Sequence, residues 1–149
     1  MPHLVILYTG QLDTETDMGA LCRRLADVML AQRDEAGQPV FPPGGTRVLA
    51  YPAPHYAVGD GGVAGRAAGA TLPGATADPG DYAFVYLGLR MGAGRSDATK
   101  KAAGDALLAG ARAHFDALFL TRRLGVTLQI DDRPPVYDGK HGNLHPLFN

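Results

Sequence analysis

The sequence predicts an α+β (α/β) fold: two consecutive βαβ units that build a four-stranded sheet with two helices on one face. Three observations predict it. Apolar runs at His3–Thr9 and Tyr82–Met91 each lead into a helix-periodic stretch and then a second strand pattern. The two units, 3–51 and 82–130, are nearly equal in length. Between them, residues 52–80 are mostly Gly, Ala and Pro without a period, which predicts an irregular loop. The chain, 1–149, is expected to form one domain, with 131–149 as a C-terminal tail.

The first strand, His3–Thr9, is apolar on both faces, as a central strand should be. Thr14 is expected to open a helix, with Glu15 and Asp17 in the first turn where the helix dipole favours them. Met18, Leu21, Cys22, Leu25, Val28 and Met29 then fall on one stripe, and the helix should stop before Gly37. Pro42-Pro43-Gly44-Gly45 reads as a turn before a second strand, Thr46–Tyr51. In the second unit, Ser96 is the expected N-cap of a helix running to about Arg123. Ala103, Leu107, Ala111, His114 and Leu118 line one side of it, and Gly125 is expected to cap it before the strand Val126–Ile130. Leu144, Leu147 and Phe148 imply that the tail packs on something.

Each βαβ crossover is right-handed, which puts both helices on the same face. The other face is then bare. Neighbouring strand residues point to opposite faces, so Val5, Leu7, Val85 and Leu87 cannot all lie under helices. Oligomerisation through the bare face is expected.

Composition narrows the function classes. A net charge of −1 with 19% charged residues gives no electrostatic footprint for nucleic acid or an anionic membrane. No apolar stretch approaches the ~20 residues a bilayer requires. A single cysteine, Cys22, excludes an internal disulfide framework and suits a reducing cytosol, so a cytoplasmic protein is the expectation. Nothing in the sequence indicates a cofactor or a metal. His141 and His145 are four apart, but Gly142 and Pro146 argue against the helix that would pair them as ligands. Asp131-Asp132 reads as a solvated strand end and Cys22 as a core residue.

Three residues are candidates for chemistry, each with an ordinary alternative: a Met-Pro start that uses the proline for nothing, a tight turn with a solvated arginine at 95, and a surface arginine at 47. Pro2 is small enough for Met1 to be trimmed, which leaves a secondary amine as the chain terminus. A free α-amino group titrates near 8, lower when buried or close to cations, so a terminal proline can act as a general base. Arg95 sits in Gly92-Ala93-Gly94-Arg95-Ser96, between a strand end and a helix start, where it can grip a carboxylate with two parallel bonds. The string lacks the third glycine of a dinucleotide fingerprint and the Lys-Ser/Thr of a phosphate loop. Arg47, after Gly44-Gly45, holds the corresponding region of the first unit.

These strings resemble the 5-carboxymethyl-2-hydroxymuconate Δ-isomerase family of the tautomerase superfamily. The resemblance is carried by Pro2-His3 before a strand, by Asp81-Tyr82-Ala83-Phe84-Val85, and by Gly92-Ala93-Gly94-Arg95-Ser96. His114-Phe115 and Asn143-Leu144-His145-Pro146-Leu147-Phe148 add to it. It implies a tautomerase-like subunit, a homotrimer, Pro2 as catalytic acid/base, and Arg95 and Arg47 as substrate-binding residues. A family arginine two residues beyond Arg47 is Leu49 here, and most of 62–80 has no counterpart. The implied activity is a cofactor-independent isomerisation of an unsaturated 2-hydroxy di- or tricarboxylate from homoprotocatechuate breakdown. Two alternatives stay open: the same fold acting on another 2-oxo acid as tautomerase, hydratase or decarboxylase, or a non-catalytic binding protein.

Overall fold

A computed structural model describes residues 1–69, 72, 74 and 78–148. In chain order the main elements are β1 (His3–Thr9), α1 (Met18–Ala31), β2 (Arg47–Ala53), α2 (Val63–Ala68), β3 (Ala83–Arg90), α3 (Asp97–Phe119) and β4 (Leu124–Asp131). The strands form one sheet in the order β2-β1-β3-β4. β1 runs parallel to β2 and β3 parallel to β4, while the central β1–β3 pair is antiparallel. The amino ends of β1 and β2 and the carboxyl ends of β3 and β4 therefore meet at one end of the sheet.

Register sorts the side chains between faces. Ile6 lies opposite Leu87 and Leu4 opposite Leu89, and all four are fully or almost fully buried beneath the helices. Leu21, Leu25 and Met29 of α1 and Leu107, Ala111 and Phe115 of α3 complete this core. The two helices approach closely at Gly110, where a Cβ would stand 3.2 Å from Leu25 and 3.3 Å from Val28. Val5 and Leu7 point the other way. There Leu7 pairs with Tyr51 and Val5 with Leu49. Leu7, Leu49 and Tyr51 remain 47%, 42% and 50% exposed, so this face of the sheet is open in the single chain.

Four sequence expectations need correction. Thr14 does not open the first helix: Gly10–Thr14 wind into a 3-10 turn that buries Leu12. The cap is Asp17, whose carboxylate accepts the Ala20 amide at 2.9 Å, and α1 ends at Ala31, well before Gly37. The second strand runs on to Ala53, with Pro52 tolerated because β2 is an edge strand. Gly125 does not cap α3, which ends at Phe119, but lies within β4. A Cβ there would meet Phe84 at 3.1 Å, so glycine makes room for that ring. The stretch expected to be irregular contains α2, whose Gly65 amide donates to the Tyr82 hydroxyl at 2.7 Å. The expectation for residues 70, 71, 73 and 75–77 lies outside the described residues. Ser96 caps α3 as expected, accepting the Thr99 amide at 3.0 Å. Among the described residues no helix is long and apolar enough to cross a membrane.

Candidate active site

Pro2 immediately precedes β1 and is buried. Its ring lies against Gly45, where an added Cβ would sit 3.2 Å from Pro2 Cδ. A side chain at 45 would push the proline out of place. Because β1 and β3 are antiparallel, the loop that follows β3 reaches the same end of the sheet and brings Arg95 to it. Pro2 and Arg95 line one cavity of about 490 Å³ together with Gly45, Gly92, Lys140 and His145.

Arg95 is held from two sides. One terminal nitrogen donates to the Gly92 carbonyl at 2.9 Å and the other to the Val40 carbonyl at 2.7 Å. Neutral carbonyls orient a guanidinium without cancelling its charge, and the remaining N–H groups of the fork stay available. No ion pair to Arg95 occurs among the described residues.

The segment that carries Val40 is tied down at several points: the Val40 amide donates to the Gln32 carbonyl at 3.1 Å, and Glu35 reaches the start of α3. The Glu35 carboxylate accepts a short hydrogen bond from Ser96 and one of 2.7 Å from Thr99, which pins the segment after α1 onto the start of α3. The Ser96 hydroxyl, then the Thr99 hydroxyl, hold the Glu35 carboxyl below its usual range. Hydrogen bonds to the ionised form favour it.

Arg47 does not line the Pro2 cavity. Its guanidinium donates to the Gly44 carbonyl at 3.3 Å and faces an adjoining cavity of about 390 Å³. Met1, Lys140 and His145 border both cavities. The sequence offered Pro2, Arg95 and Arg47 as site residues; Pro2 and Arg95 line one cavity, and Arg47 lines the adjoining one.

Sequence reasoning missed Lys140, His145 and Phe148 as lining residues. They arrive on the tail, which β4 releases at this end of the sheet, and a 3-10 turn at His145–Phe148 seats them. The seat is Gly44: a Cβ there would come within 2.9 Å of His145 Nδ1 and 3.2 Å of Phe148 Cδ2. The signals in the sequence were the apolar content of the tail and the Asn143–Phe148 string that resembles the family, neither of which assigns these residues to the site.

The remaining candidates have structural explanations. Asp131 bonds Arg133 at 3.0 and 2.9 Å, which holds its carboxyl far below the usual range, and Asp132 accepts from Lys100 at 2.9 Å. Cys22 is half-buried, and burial pushes its thiol up. No group of three metal-ligating side chains occurs among the described residues. A hollow of about 590 Å³ bounded by Tyr86, Arg90, Gln129 and Arg133 opens on the bare sheet face, and Pro2 is not part of its lining.

Comparison with known proteins decides the family. A family model described as 5-carboxymethyl-2-hydroxymuconate isomerase matches residues 2–148. The chain belongs to that family. Membership makes it an isomerase. Among curated proteins it is 26% identical to a 5-carboxymethyl-2-hydroxymuconate Delta-isomerase of Escherichia coli over 148 residues, 99% of each chain. A crystal structure of a 5-carboxymethyl-2-hydroxymuconate delta-isomerase superposes with a TM-score of 0.92 at 58% identity, covering 100% of this chain and 93% of that one. A 5-carboxymethyl-2-hydroxymuconate isomerase from Deinococcus radiodurans R1 gives 0.76 at 34% identity, covering 99% and 94%.

Proposed function

We propose that this isomerase moves a proton within an unsaturated 2-hydroxy carboxylate, using Pro2 as acid/base and no cofactor. The reading takes 5-carboxymethyl-2-hydroxymuconate as its substrate. The observation that carries it is the shared cavity: a buried proline at position 2 and an arginine with no carboxylate partner among the described residues line the same space.

The chemistry follows from an amine and a cation. With Met1 removed, the neutral Pro2 nitrogen takes the proton of the 2-hydroxyl group, breaking O–H and forming N–H. The electrons left behind make a dienolate, and the protonated amine returns the proton to the distal carbon. One C=C bond shifts, the enol becomes a ketone, and atoms and charge balance. Arg95 grips a carboxylate and stabilises the negative charge as it develops. Arg47 serves a further carboxylate from the adjoining compartment. Burial of Pro2 and the nearby arginine both favour the neutral amine.

Retention of Met1 is the discriminating condition. Attached to methionine, the Pro2 nitrogen is a tertiary amide without a basic lone pair. Here Met1 is present, and its carbonyl lies 2.7 Å from His3 Nδ1. Mass-verified protein without Met1 should turn over the muconate, while protein retaining Met1 folds but loses activity by about 10²–10⁴-fold or more. Equal rates would remove Pro2 from the mechanism.

The assembly belongs to the same reading. A homotrimer through the open sheet face would cover Leu7, Leu49 and Tyr51, which one chain leaves exposed. Sedimentation equilibrium should give three times the chain mass, and a persistent monomer would overturn this. A cytoplasmic location is proposed with it, on the strength of the single unpaired cysteine.

A further inference from the structure

The two compartments at the Pro2 end are separated by few side chains. Arg95 faces one and Arg47 the other, while Met1, Lys140 and His145 border both. Removal of Met1, which the proposed chemistry requires, takes away one of these three. Lys140 and His145 then remain between two arginine-lined spaces. Volumes of about 490 and 390 Å³ lie in the range of small-ligand sites.

Three cationic positions therefore border the two adjoining compartments: Arg95 one, Arg47 the other, and Lys140 both. Lys140 is half-exposed and spends one of its donors on Asp138 at 2.9 Å. An ammonium has three N–H groups, so two remain for a ligand. The tail that carries it is fixed, with His145 and Phe148 packed on Gly44. A muconate skeleton has two carboxylates, and a carboxymethyl arm adds a third.

We propose that Lys140, with His145 beside it, forms a third carboxylate subsite that makes the protein select a tricarboxylate over a dicarboxylate. The subsite rests on the isomerase reading for its substrate but not for its test, since binding can be measured without turnover. Arg95 and Arg47 hold the two carboxylates of the main chain, and Lys140 reads the arm.

Calorimetry with propane-1,2,3-tricarboxylate and glutarate, on protein lacking Met1, separates the third carboxylate from the other two. Wild type should bind the tricarboxylate more tightly. Lys140→Met should shrink that preference about tenfold, as loss of a charge-assisted hydrogen bond does, and Lys140→Arg should restore part of it. In turnover, the KM ratio of 5-carboxymethyl-2-hydroxymuconate to 2-hydroxymuconate should rise by a similar factor in Lys140→Met. Wild type that binds both acids equally would overturn the subsite. So would a Lys140→Met variant that weakens both equally, which is the signature of a general field. Absence of turnover with both muconates would count against the isomerase reading, and the calorimetric arm would still decide the subsite.

Discussion

Removing the Arg122 side-chain charge should cost more stability than any other single surface-accessible ion pair in this chain, and should do so without touching the chemistry. The guanidinium is only 5% exposed. Its Nε donates to Glu15 at 2.5 Å, a terminal nitrogen makes a short bond to the same carboxylate, and the other donates to the Asp81 carboxylate at 3.0 Å. It also donates to the Asp81 carbonyl at 2.8 Å. One side chain thus ties the approach to α1, the approach to β3 and the turn after α3. Breaking a buried pair costs about 3–5 kcal/mol when the surviving charge is stranded. Here the survivors are Glu15 and Asp81, 26% and 38% exposed, so water recovers part of the loss.

We therefore expect Arg122→Met, which keeps the aliphatic stem, to destabilise by about 2–3 kcal/mol, the buried-pair figure discounted for solvent screening. For a chain of 149 residues that corresponds to a melting shift of about 4–12 °C. Urea unfolding followed by circular dichroism, at fixed protein concentration, measures it; concentration must be fixed because assembly adds to apparent stability. Glu15→Gln should cost less, because Arg122 keeps Asp81. The network sits at the end of the sheet opposite Pro2, so kcat/KM of the folded variant should match wild type. A loss under about 0.5 kcal/mol, the scatter expected of an ordinary surface change, would refute the assignment.

Three further predictions concern the Glu35 clamp and the segment before β3. Glu35→Ala should raise KM severalfold with a smaller change in kcat, because it frees the segment whose Val40 carbonyl orients Arg95; an unchanged KM in steady-state assays would show that the clamp does not position the arginine. Since Glu35 has a lowered carboxyl pKa in the fold, its contribution is present above the ordinary value of 4.5 and is lost as the pH falls through the lowered one. Wild type should therefore lose this component of stability on acidification, and Glu35→Gln should not. Replacing residues 62–80 by a short turn should leave the fold nearly intact, because a Cβ on Gly62 would meet the Gly80 carbonyl at 2.4 Å and the ends are already together; a variant that fails to fold would show that α2 is part of the core.

What could be read in the sequence was what local pattern determines. The apolar and aromatic runs located the sheet, and Ser96-Asp97 marked the start of α3. Thr14 and Asp17 are both good caps, and the choice between them fell to Leu12, whose burial winds the preceding residues into a 3-10 turn. That is a tertiary effect. Gly125 could be a cap or a clearance, and only the Phe84 ring across the β3–β4 pair decides it. α2 has almost no side-chain pattern, and the hydroxyl that fastens it, Tyr82, lies 17 residues further on. The same divide runs through the site. Pro2 and Arg95 stood out only through the family resemblance, since a Met-Pro start and a glycine-flanked arginine each have an ordinary local explanation. Lys140 and His145 did not, because their place depends on where β4 releases the tail.

The direction of the strands also decides which departure from the family pattern bears on specificity. The long segment between β2 and β3 leaves from Ala53 and returns at Ala83, both at the end of the sheet away from Pro2. Strands of seven or eight residues separate the two ends by about 25 Å, several times the reach of a side chain. Both anchors of this segment therefore lie away from the Pro2 cavity. The tail instead leaves on the Pro2 side, because β4 runs parallel to β3 and ends at Asp131 there. Substrate choice should accordingly follow residues 138–148, and grafting the tail between members of the family should transfer selectivity; a graft that leaves the substrate preference unchanged would refute this.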